Sequence, residues 1–227
     1  LASQLQAMGI HAVACPPPGG RIEVSDRDGH DLHRPLDGRR RVTMICSDLS
    51  HPRKNIGAGI DAIGLLARRG MNIDLELIGG NLDALERHLA ELPSSVGVDT
   101  PGRLPRAQVL NRLERTDALV VPSLYEEWGY VATEALLSGT PVVAFPVYPF
   151  VEILGAPVGL CADDMSPAAL ARALGQVLDG EVDRSLIAST ADARFGAEAI
   201  GKRLTATWSS DPGLTREPVL SEMVANG

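Results

Sequence analysis

Two glutamates, Glu126 and Glu134, stand in the stretch PSLYEEWGYVATEALLSGTPVVAF with seven residues between them. A carboxylate only accepts hydrogen bonds and can take two hydroxyl hydrogens at once, so such acids suit neighbouring hydroxyl pairs. The pair Trp128-Gly129 falls where a loop gives way to a helix. There the backbone N–H groups of Trp128, Gly129 and Tyr130 would face out of a helix N-terminus, a place that favours anions. Gly129 would let that backbone come close to a ligand. On the residues alone three uses stay open: solvated charge on an ordinary helix, two acids gripping one ligand, or the paired carboxylates of a glycoside hydrolase. Upstream, Lys54 lies near the start of another helix, where a cation opposes the helix dipole and so points to a ligand. Arg53 is a second cation of the same loop.

The elements that must position these residues follow from periodicity. RVTMIC (41 to 46) is a short β-branched run, a strand. Ile56, Ile60, Ile63 and Leu66 fall at helical spacing, ending at Gly70. IDLELIGG is the next strand, NLDALERHLAEL a helix closed by Pro93, and SVGVD a brief third strand. PRAQVLNRLERT reads as a helix with Pro105 in its first turn. ALVVPS is a fully apolar strand, followed by the acid pair and a helix that stops at Gly139. PVVAF and VGLC are strands, PFVEIL a short helix between them, and Ser166-Pro167 caps AALARALGQVLDG, with Gly180 after its end. Strands alternating with helices, and apolar on both faces, predict an α/β fold: a doubly wound parallel sheet, Rossmann-like, from about Arg41 to Asp179. Ligands in such sheets sit beyond the carboxyl ends of the strands, where chain order reverses. The loops holding Lys54 and Glu126 both lie on that edge.

Composition sets limits on partners. With 44% hydrophobic and 22% charged residues the 227-residue chain is globular, and 4% aromatics leave the core to Leu, Val, Ile and Ala. A formal charge of −8 argues against a nucleic-acid partner, which requires a basic footprint. Cys15, Cys46 and Cys161 are far apart and odd in number, as in reduced core residues of a cytoplasmic protein. No run is long and apolar enough for a transmembrane segment, and no signal-peptide pattern is present. Asp26 and Asp28, and His30 and His33, have metal-like spacing but sit in a charged linker without further ligands, so no metal site is expected. GAGIDA (57 to 62) fits a dinucleotide fingerprint only if its first glycine directly follows a strand, and it does not.

VVPSLYEEWGYVATEALLSGTPVVAF resembles the signature of the retaining GT-B glycosyltransferases of family four. In register are a Pro-Ser, an acid, an aromatic-Gly pair, a second acid, a small-Gly-Thr-Pro and a Val-Val. RKN (53 to 55), LIGG (77 to 80), GRL (102 to 104) and RTDALVVPS extend the resemblance over residues 41 to 180 or so. It implies the C-terminal, donor-binding half of a GT-B enzyme, moving sugar from a nucleotide-diphosphate sugar to an acceptor with retention. By that resemblance Glu134 holds the ribose and Glu126 is the sugar-side acid. Lys54, with Arg53, neutralises the leaving diphosphate, in a role that replaces a divalent metal. Trp128, Gly129, Tyr130 and Gly102 complete the donor site, Glu152 matches an acid often found after the Pro-Val strand, and no cofactor beyond the donor is implied. Two positions depart: Ser47-Asp48 stands where many relatives carry Gly-Arg, and Glu127 where a small residue is usual.

The domain organisation expected is a remnant of an acceptor domain and linker over 1–40, the donor domain over 41–182, C-terminal helices over 183–208 that cross back toward the acceptor domain, and a loose tail over 209–227. The chain opens on Leu1 in mid-pattern, as a truncated protein would, and the fragment alone is expected to be inactive. The acceptor (a sugar, lipid or polysaccharide) would enter from the missing domain, through which peripheral membrane contact is open. A catalytically silent nucleotide- or glycan-binding module is the alternative, and a glycoside hydrolase a weaker one.

Overall fold

The computed structural model describes residues 38–210. The linker, the opening helix and strand, Cys15, the Asp26/Asp28 and His30/His33 pairs and most of the tail lie outside them. The described chain runs β1 (Arg40–Asp48), a 3-10 turn (Pro52–Lys54), α1 (Ile56–Arg68), β2 (Ile73–Gly80), a second 3-10 turn (Asp83–Leu85), α2 (Glu86–Ala90), β3 (Gly97–Gly102) and α3 (Arg106–Glu114). It continues through β4 (Ala118–Val121), α4 (Tyr130–Leu137), β5 (Val142–Ala144), α5 (Phe150–Ile153), β6 (Gly159–Cys161), α6 (Pro167–Asp179), α7 (Arg184–Phe195) and α8 (Ala197–Ser210). All strand pairs are parallel, in the order β3-β2-β1-β4-β5-β6. The order reverses between β1 and β4, which is the switch point of a doubly wound sheet.

Side chains of a strand alternate between faces, and here both faces are apolar. Ala118 and Val120 pack with Val42, Met44, Ile60, Ile63 and Leu174 on the side of α1 and α6. Leu119 and Val121 pack with Leu110, Leu113, Leu136, Ile187 and Phe195 on the side of α3, α4 and α7. That division is why ALVVPS shows no alternation in sequence. The last helices, expected to cross toward another domain, begin with α7, which buries Ile187, Ala191 and Phe195 in this core against α4.

Two elements differ from the sequence reading, and the two helix-ending glycines differ from each other. The single helix expected over 81 to 92 is broken: Asn81 is left-handed (φ 62°), the Leu85 amide bonds the Leu82 carbonyl at 2.8 Å, and α2 keeps only Glu86–Ala90. α2 itself holds no fully buried residue, and Leu85, in the 3-10 turn before it, is the one of the segment's leucines that is buried in the core. β3 starts at Gly97 rather than Ser95, because the Ser95 carbonyl is taken by Arg39 and the Val96 amide turns back to Pro93. Gly139 does end α4 in the left-handed region (φ 77°), whereas Gly180 ends α6 in extended geometry (φ −76°).

Candidate active site

The site is assembled from loops at the carboxyl edge of the sheet. After β1 the chain makes one 3-10 turn, capped by the His51 ring accepting from the Arg53 amide at 3.2 Å, and Asn55 (φ 50°) redirects it into α1. This turn carries Arg53 and Lys54. After β4 the Leu124 amide donates to the Arg53 carbonyl at 2.8 Å, stitching the two loops together across the switch point. The consequence is a meeting of residues far apart in sequence: the Lys54 ammonium donates to Glu126, whose carboxylate is 7% exposed. The Ser123 hydroxyl donates to the same oxygen of Glu126 at 2.8 Å. Pro-Ser at the end of β4 thus orients the first acid, a role the sequence reading did not assign to Ser123.

Gly129 is the N-cap of α4, at φ 78°, and a Cβ there would lie 2.6 Å from the Phe150 ring. No side chain caps this helix, and the first of its amides to find partners are those of Ala132 and Thr133, both on the Gly129 carbonyl. The amides ahead of them are left for solvent or a ligand, as at other anion-binding helix starts. Glu134 follows on α4, on the second turn, largely buried. Its Oε1 accepts from Arg106 Nε at 2.9 Å and Nη2 at 2.8 Å. Arg106 starts α3 and was missed; a cation at a helix start was the signal used for Lys54, and it was present here too.

The remaining expected residues separate. The Arg53 guanidinium lies 5.8 Å from the centre of the Tyr125 ring, and its Nε is buried without a partner. Trp128 turns away from the loop mouth and meets Phe195 edge-on, with centroids 6.1 Å apart, so its ring packs while its backbone stays at the site. The Tyr130 ring and the Glu127 carboxylate are exposed. Gly102 ends β3, on the same edge but two strands from the switch point, in the left-handed region (φ 77°). Glu152 is exposed on α5, with its carbonyl accepting from Arg194 at 2.8 Å. The glycines of GAGIDA lie inside α1: a Cβ on Gly57 would strike His88 and one on Gly59 would strike Met44, so they serve packing.

Two neighbours are electrostatically defined. Burial pushes the Cys46 thiol up to about 11, against the lowering field of Lys54, so it stays a neutral thiol that donates to the Asp48 carbonyl at 3.2 Å. The Asp48 carboxyl is held below its ordinary value by hydrogen bonds from the Ser50 hydroxyl and then the Asn81 side chain, with the Ser50 amide adding a further bond.

A doubly wound parallel sheet with a charged cleft at its switch point is a Rossmann-like α/β fold built to take a ligand at that edge. The pattern of the family "Glycosyl transferases group 1" matches residues 36–194, and the chain belongs to that family. It is 32% identical over 155 residues to an MMP alpha-(1->4)-mannosyltransferase of Mycolicibacterium hassiacum, covering 65% of this chain and 37% of that protein. It is 34% identical over 140 residues to a GDP-mannose-dependent alpha-(1-6)-phosphatidylinositol dimannoside mannosyltransferase of Mycobacterium tuberculosis, covering 60% of this chain and 35% of that one. The chain therefore spans little more than a third of these relatives. Among solved structures, sucrose-phosphate synthase from Thermosynechococcus elongatus superimposes with a TM-score of 0.66 at 23% identity, over 92% of this chain and 55% of its own. None of this chain's described helices is long and apolar enough to cross a membrane.

Proposed function

We propose that this chain is the donor half of a retaining, nucleotide-sugar-dependent glycosyltransferase, with the donor unit over 41–182 and the acceptor wall supplied by sequence not contained in it. The observation that carries the reading is the meeting of Lys54, Glu126 and the uncapped start of α4 across the switch point. A diphosphate laid there takes the remaining donors of the Lys54 ammonium and the open amides of α4. Glu134 receives the ribose hydroxyls through Oε2, since Oε1 is engaged by Arg106. Glu126 receives hydroxyls of the sugar. The acceptor hydroxyl attacks the anomeric carbon from the side the diphosphate leaves, the bond to the phosphate oxygen breaks, and the acceptor proton passes to that oxygen. Lys54 and the helix amides stabilise the charge that develops on the departing group, the work a divalent metal would otherwise do. The GDP-mannose dependence in one relative's name supports a nucleotide-sugar donor. A cytoplasmic setting and a sugar, lipid or polysaccharide acceptor belong to the same reading.

A hydrolase would need one of the two acids to donate a proton. Each is already held by a cation, Glu126 by Lys54 and Glu134 by Arg106, which suits acceptors instead. The silent-module alternative draws on one observation, the two additional carboxylates Asp48 and Glu127 at the same edge. The test is turnover by the intact protein with nucleotide sugars, with the anomeric configuration of the product read by NMR. Product of retained configuration supports the proposal; inverted product, or tight nucleotide binding with no transfer to any acceptor, defeats it.

A further inference from the structure

Four cations reach the carboxyl edge, and two are held by carboxylates. Lys54 holds Glu126, Arg106 holds Glu134, and Arg53 lies over Tyr125. Arg103 is different. Gly102, left-handed at the end of β3, turns the chain so that Arg103 follows it back across β2. Its guanidinium passes over Gly80, where a Cβ would lie 2.9 Å from Nε and 3.3 Å from Nη2. It then donates from Nε to the Ser47 carbonyl at the end of β1, at 3.0 Å. Two glycines thus serve to bring one side chain across a whole strand toward the switch point.

No carboxylate waits for it among the described residues. Asp48 sits in register with Gly80 and is the nearest acid by position, yet its carboxylate accepts from the Ser50 amide at 3.0 Å and the Ser50 hydroxyl at 2.7 Å. The exposed Arg103 makes no ion pair among the described residues, and its terminal nitrogens stay open. Cys46, the residue before Ser47, lies within electrostatic reach of both Lys54 and Glu126, so Arg103 ends beside the same cleft. With Glu126 and Glu134 each paired to a cation, Asp48 and Glu127 still add negative charge to this edge, and a further cation offsets it for a dianionic ligand. A guanidinium is suited to that, because its fork matches two phosphate oxygens.

We propose that Arg103 is the second phosphate-binding cation of this site, meeting the diphosphate of the donor from the β1–β2 side while Lys54 meets it from the β1–β4 side. This rests on the nucleotide-sugar reading above. The measurement is calorimetry on the intact protein with UDP, GDP and ADP and with uridine, guanosine and adenosine. For the diphosphate that binds best, Arg103→Ala should weaken binding roughly tenfold or more, the loss of one charged hydrogen bond, and leave the nucleoside unchanged. Arg103→Lys, which keeps the charge, should retain part of the affinity. If Arg103→Ala binds the diphosphate like the parent while Lys54→Ala loses it, the inference falls and the proposed function stands. If the parent binds none of the three diphosphates, both fall.

Discussion

The sheet carries polar side chains at both of its edges, and the two sets are used in opposite ways. In the amino half, Thr43 donates to Glu76 at 3.2 Å and meets Thr116 at 2.7 Å, while Arg112 bonds Glu76 and, at 3.1 Å, Asp99. Nearby, Arg184 donates to the carbonyls of Leu113, Glu114 and Thr116 and to the Thr140 hydroxyl, closing the C-terminal end of α3. At the carboxyl edge the bonds are fewer and the ends are loose. Of the two buried side-chain polar atoms without a partner among the described residues, Arg53 Nε belongs there, while Trp128 Nε1 lies on the ring packed against Phe195. Leaving a buried donor unpaired costs about 1–3 kcal/mol, and natural proteins tolerate it chiefly where something else is to bind or move. The amino half is finished without a ligand; the carboxyl edge is not.

The largest effect should come from breaking the finished region. Glu76→Ala removes a buried acid, leaving Arg112 with Asp99 alone and Thr43 with Thr116 alone, and should lower stability by about 2–3 kcal/mol, the partly exposed Arg112 recovering some of the loss through water. Urea unfolding reads it, and nucleotide affinity of the folded fraction should be unchanged. A matching loss of nucleotide affinity would erase the contrast between the two edges. Next in size, Lys54→Ala should cost about 1.5–3 kcal/mol in binding a nucleoside diphosphate, with the nucleoside unaffected; because it also leaves the buried Glu126 carboxylate without its cation, the melting temperature should fall as well, and affinity is read on the folded protein. Equal diphosphate affinity in mutant and parent would remove Lys54 from the site.

Smaller changes sharpen the division within the site. Glu134→Gln should lower the affinity for nucleotide and nucleotide sugar together, whereas Glu126→Gln should spare the bare nucleotide and lower kcat in the intact enzyme. Silence of both would return the pair to solvated charge. The least effect is a pH one. The folded-state pKa of Asp48 is depressed, so its contribution to stability is present above the unfolded carboxylate pKa and is lost as pH falls through the folded value. Asp48→Asn should therefore flatten the acid limb of a stability-versus-pH curve, and an unchanged limb would show that the Ser50 bonds contribute nothing there.

What the sequence revealed follows the same division. Glu126, Gly129 and Glu134 were legible because one short segment carries them, with its strand, loop and helix in order. The doubly wound sheet was legible because strands apolar on both faces have one common explanation. Arg106 and Arg103 were not, because each acts through a contact made across the fold, Arg106 with Glu134 and Arg103 with Ser47. Nothing in local periodicity announces such a partner. The break in the helix over 81 to 92 was hidden for a related reason: its leucines have helical spacing and do reach the core, and only the backbone shows the left-handed Asn81 and the 3-10 turn that interrupt it.

α3 joins the two edges, and this restricts how the gene can vary. Its first residue grips Glu134 at the open edge, while Arg112 and the carbonyls of Leu113 and Glu114 are anchored at the closed one. An α-helix rotates about 100° and rises about 1.5 Å per residue. One codon inserted or deleted within it, with the anchored end fixed, would swing Arg106 off the face that reaches Glu134. α3 acts as a ruler cut to one number of residues.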